Sequence, residues 1–382
     1  VVRGTHKDDI FEIERLPGGK TKIVVKRDLK DEKNEKFYER IIDGNTTKEI
    51  LVYGLNDDDE FNIKGDYDGH SYLKIIGGYG EDVYTIENKR KVRVFDWKFE
   101  KSEFKEENPS KRLTNLYETN MLHWRYFTRD YNIVMPIIGT RNDDGIFVGL
   151  SDTYVKQGLH GDGDDFKQKH FFAGNYFFLF QAFEFKYQGV FANLFPNWNL
   201  TIDARATSDK YSDNFFGFGN ESINPDDDLD KDFNRAQMQQ TEISGKISYR
   251  SLFVKGLFES YELQENNDRF FTAANVDPLL FERNNYYGFE AGISFDNQNA
   301  LDFPTKSILV ALKGGFKQNM DISENNFGYV SFTLGGGHKL IPSGHLVLAT
   351  KAEFKTNIGD NYFFYHAPNI GGNNGLRGFR ND

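Results

Sequence analysis

Side chains that alternate one by one between apolar and polar fit an extended strand and no other regular structure, and this sequence alternates again and again. Within 242–250, Ile243, Gly245, Ile247 and Tyr249 share one face, while Glu242, Ser244, Lys246, Ser248 and Arg250 share the other. Leu200, Ile202, Ala204 and Ala206 oppose Thr201, Asp203, Arg205 and Thr207. Tyr287, Phe289, Ala291, Ile293 and Phe295 oppose Gly288, Glu290, Gly292, Ser294 and Asp296. Leu348, Ala352 and Phe354 oppose Ala349, Lys351, Glu353 and Lys355. About ten such strands are expected between Gly145 and Lys355.

Two architectures give this pattern. A soluble sandwich turns the apolar face inward. A membrane barrel turns it outward to lipid and encloses the polar face. Three features favour the barrel. The strands have about the 9–11 residues that a tilted strand needs to cross hydrocarbon. The polar faces mix both charge signs with Gly. Connections alternate in length: Arg250-Ser251 and Gln181-Ala182 read as short turns, 208–234 and 264–284 as long loops. Phe191, Phe195, Trp198, Tyr261, Phe327 and Tyr329, near strand ends, suit interfacial aromatic girdles. An open sheet edge in lipid leaves backbone groups unpaired at several kcal/mol each, so closing strands are expected after Asp382, or in a partner chain.

Composition narrows the classes further. With 58 acidic against 47 basic residues and a net charge of -11, a general affinity for nucleic acid is excluded. Mean hydropathy is -0.63 and no apolar run reaches the length of a membrane helix. Cys is absent, so there is no disulfide framework, thiolate metal site or Cys nucleophile. The chain starts at Val1 without a secretory signal pattern, which reads as a mature or trimmed product.

The first third is different. A pattern of Gly, four residues, Asp, one residue, an aromatic, one residue, Ile occurs at Gly4-Asp9-Phe11-Ile13, Gly54-Asp59-Phe61-Ile63 and Gly77-Asp82-Tyr84-Ile86. Repeats of this kind point to stacked turn-and-strand units in a small soluble β-rich module. The third copy, GGYGEDVYT at 77–85, resembles the calcium-binding nonapeptide of parallel β-helix repeats. That resemblance makes Asp59 and Asp82 candidate ligands of a hard cation, with Asp8, Asp57, Asp58 and Glu81 nearby. The alternative is that these carboxylates satisfy backbone N–H groups of the stacked turns.

Three further stretches carry a second resemblance: GGNNGLRGF at 371–379, DNQNALDFPTKS at 296–307 and NFFGFGNES at 214–222. Over about 140–382 the chain resembles the bacterial surface antigen family of outer-membrane barrels, which includes the barrel-assembly insertase. That family's extracellular loop has two Gly residues and then [VL]-R-G-[FY], matched by Gly371, Gly372, Leu376, Arg377, Gly378 and Phe379. The resemblance implies that this loop folds into the lumen and that its Arg meets acidic or aromatic groups on later strands. The family's periplasmic turn, D-x-R-x-x-x-x-P-x-x-G, is matched at Asp296 and Pro304 with one residue more between them, and with Gln298 in place of the Arg and Ser307 in place of the Gly.

The expected class is therefore all-β: a transmembrane antiparallel barrel, 16-stranded when complete with about ten strands present, behind a small β-rich repeat module. The expected divisions are 1–110 for the module, 111–143 for a linker and 144–382 for the N-terminal part of the barrel. The implied location is the bacterial outer membrane, with 1–110 periplasmic. The implied role is outer-membrane protein assembly or polypeptide translocation, with membrane lipid, polypeptide clients or barrel-assembly subunits as partners. The first third looks like the linker of a subgroup fused to an upstream metal-dependent phosphoesterase, so a membrane anchor or exporter for such an enzyme is a second reading. A soluble β-rich adhesin is a third. The phosphoesterase motifs are missing from these residues, and no catalytic residue or cofactor other than calcium is expected here. His70 and His366 read as surface or loop residues.

Overall fold

The computed structural model describes residues 1–29, 34–115, 117–122, 129–141, 145–159, 166–195, 197–217, 232–267, 269–273, 276–299 and 304–368. It has two units, Val1–Arg129 with Gly158–Asp165, and Asp130–Gln157 with Phe166–Asp382.

The first unit consists of β1 (Val2–Arg3), β2 (Asp9–Leu16), β3 (Lys20–Arg27), β4 (Glu35–Asp43), β5 (Glu49–Asn56), β6 (Glu60–Lys64), β7 (Tyr72–Tyr79), β8 (Val83–Ile86), β9 (Val92–Trp97), β10 (Glu103–Glu106) and β11 (Ser110–Thr114). Apart from the antiparallel β2–β3–β4 run, the chain passes back and forth between two sheets, β1-β5-β7-β9-β11 and β10-β8-β6-β2-β3-β4. Each pass pairs in parallel with the one before. The repeats therefore stack in register. Phe11 faces Phe61, Phe61 faces Tyr84 and Tyr84 faces Phe104, with ring centroids 4.6, 5.1 and 4.9 Å apart. Ile13, Ile63 and Ile86 repeat the same stacking, and all of these but the half-buried Phe104 lie in the core. β11 pairs with β9, so the module runs past the boundary expected at 110.

The Gly–Asp spacing of the repeat has a steric cause. A Cβ at Gly4, Gly54 or Gly77 would meet Oδ2 of Asp9, Asp59 or Asp82, closer than carbon and oxygen can approach. The Asp of each repeat folds back over its own Gly, and only Gly leaves it room. Gly77→Ala should therefore destabilise the module by about 1–3 kcal/mol, the usual cost of overpacking. Thermal melting followed at Trp97 measures it, and an unchanged midpoint would contradict the steric account.

After the short α1 (Tyr117–Asn120), the second unit contains β12 (Tyr131–Arg141), β13 (Gly145–Lys156), β14 (Gln168–Phe177), β15 (Ala182–Phe195), β16 (Trp198–Thr207), β17 (Ser212–Asn214), β18 (Arg235–Tyr249), β19 (Leu252–Leu263), α2 (Phe270–Ala273), β20 (Asn284–Gln298), β21 (Lys306–Asn319), β22 (Asn326–Lys339) and β23 (Val347–Ile358). Its strands form one 12-stranded antiparallel sheet in which each strand pairs with the next, apart from β17, which sits off the path against β18. The all-β class and the barrel-type antiparallel sheet behind a repeat module are as expected. Setting aside β12 and β17, ten of the twelve strands lie within 145–358, the number expected there.

The sheet nevertheless begins earlier than Gly145. β12 falls inside the stretch read as a linker and pairs along its length with β13, Tyr131 facing Val155 and Arg141 facing Gly145. Its run Ile133-Val134-Met135-Pro136-Ile137-Ile138 has no alternation to read. Pro136 lacks an N–H and is tolerated because β12 is an edge strand among the described residues.

The connections also differ from expectation in one respect. Arg250-Ser251 is a two-residue turn, with Arg250 at φ 52, and it lies at the end opposite the long loops 208–234 and 264–283. The tight connection at Gln181 lies at the long-loop end, because β14 and β15 meet there, Phe177 facing Ala182.

Register separates the two faces. Tyr187, Ala204, Ile243, Phe258 and Tyr287 lie in one row across β15 to β20. One residue away, Lys186, Arg205, Glu242 and Glu259 form the parallel row on the other face. The apolar face is bare. Ile146, Leu150, Phe185, Ile243, Ile247, Val254, Phe289, Ile293, Leu312 and Phe354 are all exposed, Phe289 at 57%. A sandwich would have covered them, and no second sheet does so among the described residues.

Candidate functional site: a polar face closed over by loops

The polar face is built by parity. Once Glu259 points to it, Tyr261 must as well, and the same holds from Glu290 through the rest of β20. Tyr261 and Phe327 are accordingly buried, and Tyr329 hydroxyl donates to Glu290 at 3.0 Å. These three belong to the polar side and not to an outer girdle, a correction contained in the even spacing of Tyr261 from Glu259 and of Phe327 and Tyr329 from Ser331 and Thr333. Phe195 and Trp198 are exposed at the turn end, and Trp198 packs on Tyr249 at 5.1 Å.

Two polar clusters organise this face. In the first, Arg205 on β16 donates from Nε to Glu184 on β15 at 2.9 Å and from Nη1 to Gln240 on β18, with Glu242 3.5 Å away. Gln240 in turn donates to Asp213 of β17 at 2.7 Å. The guanidinium lies over the Tyr211 ring at 5.2 Å. The start of the long loop after β16 is thus tied down onto the polar face. In the second cluster, Lys317 on β21 reaches past β20 to both oxygens of Glu259 on β19, at 2.9 and 2.7 Å. His366 Nε2 donates to the same carboxylate at 3.0 Å. Lys313 approaches Glu290 at 3.2 Å. Charges here are paired, as buried or half-buried charges must be.

Above these clusters the long-loop end is filled with aromatics. Phe215, Phe271, Leu280, Tyr286 and Phe364 are buried together with Tyr261, and Phe363 and Tyr365 pack against them. Next to this fill is a cleft whose walls include Lys186, Asp203, Arg205, Glu242, Lys255 and Glu259. A face of this kind can hold hydrated polar chain or ions while its reverse meets an apolar medium.

The expected site residues are placed as follows. Gly371, Gly372, Leu376, Arg377, Gly378 and Phe379 lie outside the described residues. Asp296 faces Leu309 in the β20–β21 ladder, and Gln298 faces Ser307, so the two departures from the turn motif are cross-strand partners. Pro304 lies in the connection itself, which Asn299 ties by accepting from the N–H groups of Thr305 and Lys306 at 3.0 and 2.8 Å.

Asp59 and Asp82 lie in the first unit, buried between its turns. Asp59 accepts from the Asp9 N–H at 2.8 Å, and Asp82 from the Asp59 N–H at 2.9 Å. The Asp9 carboxylate takes the Thr5 N–H. Outside this ladder runs a second one: the Asp58 N–H points to Asp8 at 3.4 Å and the Glu81 N–H to Asp58 at 2.8 Å. Burial, with Asp82 alongside, pushes the Asp59 carboxyl up to about 10. Burial likewise raises Asp82, and it pushes Asp96 up to about 6. Among the described residues no group of three or more His, Asp or Glu is placed to share a metal ion. A calcium role for Asp59 and Asp82 would show as a rise in melting temperature at millimolar calcium.

Both histidines lie outside the strands, as the loop reading expects, but neither is on the surface. His70 is buried, its Nε2 donating to the Leu16 carbonyl at 2.8 Å and its Nδ1 accepting from the Asp68 N–H at 2.9 Å. His366 is buried beneath the aromatic fill. Sequence reading missed the Glu259–Lys317–His366 group altogether. The only signal for it was a lone His in the aromatic run FFYH at 363–366 just after a strand.

No helix among the described residues is long and apolar enough to cross a membrane, which says nothing about strands. No protein-family model and no curated protein matches the sequence. Among solved structures, the crystal structure of BamA from Haemophilus ducreyi lacking POTRA domains 1–3 is similar, with a TM-score of 0.45 and 15% identity, over 66% of this chain and 46% of that one. The chain spans less than half the length of that structure.

Proposed function

We propose that the second unit is part of an outer-membrane β-barrel of the surface antigen type, and that the protein assists outer-membrane protein assembly or polypeptide translocation without catalysing a reaction. The observation that carries this reading is the bare apolar face. Fully burying one large apolar side chain is worth roughly 1.5–3 kcal/mol, and a continuous exposed surface of them calls for lipid or a partner. The polar, loop-filled reverse face fits a lumen. The Gly371-Gly372 and Leu376–Phe379 pattern, which resembles the family's lumen loop, adds to the reading.

The mechanism rests on the edges. β12 and β23 end the sheet among the described residues. An edge strand exposes unpaired N–H and C=O groups, and an incoming strand can add to it by backbone pairing. β12 takes the place expected for the strand at Gly145, and its Ile138 is 79% exposed. A client strand would pair with this edge and leave as the next one forms. The repeat module of 1–114 is read as the periplasmic part.

Depleting the protein in its host should lower the amounts of other outer-membrane proteins, measured by quantitative proteomics of isolated outer membranes. Unchanged levels would overturn the assembly role in favour of an anchor or exporter for an upstream phosphoesterase. If the purified chain stays monodisperse without detergent, the membrane reading itself is wrong and a soluble adhesin takes its place.

A further inference from the structure

We propose that His366, Glu259 and Lys317 form an acid-sensitive latch that holds the strap 363–366 against the polar face and opens when the imidazole takes up a proton. The His366 side chain is only 2% exposed. It is enclosed by the rings of Tyr286, Tyr365, Phe327 and Tyr261, at 4.6, 4.8, 5.0 and 5.4 Å. Nε2 donates to Glu259, whereas Nδ1 is buried with no hydrogen-bond partner among the described residues. Only the neutral ring with its proton on Nε2 fits this arrangement. A second proton would place an N–H at Nδ1 with no acceptor for it among the described residues, and a second cation on a carboxylate that Lys317 already holds.

The charged and titratable groups around the ring come from several elements. Glu259 and Tyr261 are on β19, with Glu242 of β18 behind the Tyr261 hydroxyl at 3.3 Å. Tyr286 of β20 shares a hydrogen bond with Tyr365 of the strap at 3.3 Å. Lys317 comes from β21, and its ammonium also lies 5.8 Å from the Tyr329 ring of β22, whose hydroxyl is committed to Glu290. β23 contributes the neutral Asn357, which donates to the His366 carbonyl at 2.9 Å. Glu259 thus faces one permanent cation and one optional one.

Burial, with Lys317 nearby, lowers the imidazole from its ordinary 6.5 to about 4, although Glu259 acts the other way. For a group whose value is depressed on folding, the stabilisation is complete above the ordinary value. It is lost as pH falls from about 6.5 through about 4. What loosens is more than the ring. Phe364 of the same strap packs against Phe271 at 4.5 Å and Phe215 at 4.9 Å, so releasing the strap unpacks the loops at this end.

Hydrogen exchange of 363–366, measured on the full chain in detergent micelles, tests the latch. From pH 7.5 to 5, protection corrected for intrinsic exchange should fall roughly thirtyfold in the native protein. In His366→Gln, whose amide still donates to Glu259 but takes no proton, it should stay constant. Equal falls in both proteins, or no fall in either, would overturn the proposal. Should His366→Gln not fold, Lys317→Met decides: without the competing cation the midpoint of strap release should move up by about one pH unit, and an unmoved midpoint sinks the latch.

Discussion

Arginine in place of Phe289 should abolish stable insertion of the chain into vesicles or shift its unfolding equilibrium there by about 2–4 kcal/mol, the cost of an Arg on the lipid face of a barrel at mid-membrane. Phe289 is central on β20, exposed, and flanked along the strand by Tyr287, Ala291 and Ile293 on the same face. Its chain neighbour Glu290 points the other way and is tied to Tyr329 and Lys313. Glu290→Gln keeps the hydroxyl's acceptor and should leave insertion intact. Denaturant titration in phosphatidylcholine vesicles separates the two variants. If Phe289→Arg inserts as well as the native chain, the apolar face does not meet lipid, and the membrane assignment fails with it. This contrast between adjacent residues is sharper than any single loss, since both variants change the same strand and its pairing with β19 and β21 equally little.

The repeat module should melt at lower temperature as pH rises, against the usual behaviour of carboxylates. Asp59 has one oxygen on a backbone N–H and the other buried without a partner among the described residues, in a setting that disfavours its charge. A carboxyl raised on folding contributes most below its ordinary value near 3.8. That contribution drains away as pH climbs toward about 10. Between pH 6 and pH 9 the melt followed at Trp97 should drop by roughly 5 °C or more. Asp59→Asn keeps an oxygen for the Asp9 N–H and has nothing to ionise, so its slope should be shallower, and Asp59→Asn with Asp82→Asn should be nearly flat. A double variant that keeps the full native slope would show that the ladder is not the source.

Much of this architecture was written in local patterns. The parity of Glu242–Ser244–Lys246 against Ile243–Gly245–Ile247 gives two faces with no knowledge of neighbours, and the sheet carries those faces as read. The five-residue step from Gly54 to Asp59 encodes a carboxylate folding over a bare backbone, and the rungs stack on it. The same rule was available for Tyr261, Phe327 and Tyr329. At those positions parity, and not aromatic character near a strand end, decides the face. β12 was illegible for another reason: with Ile133 to Ile138 all apolar, nothing distinguishes one side from the other, and its place in the sheet comes from pairing with β13.

By itself the chain of residues determined the alternation, the repeat and the chemistry of each face, because these follow from backbone geometry within a few positions. Only the tertiary structure decided which charges meet. Lys317 and His366 stand 58 and 107 positions from Glu259. They converge because antiparallel pairing stacks distant strands side by side and a loop with no periodicity of its own packs where aromatic surface is left open.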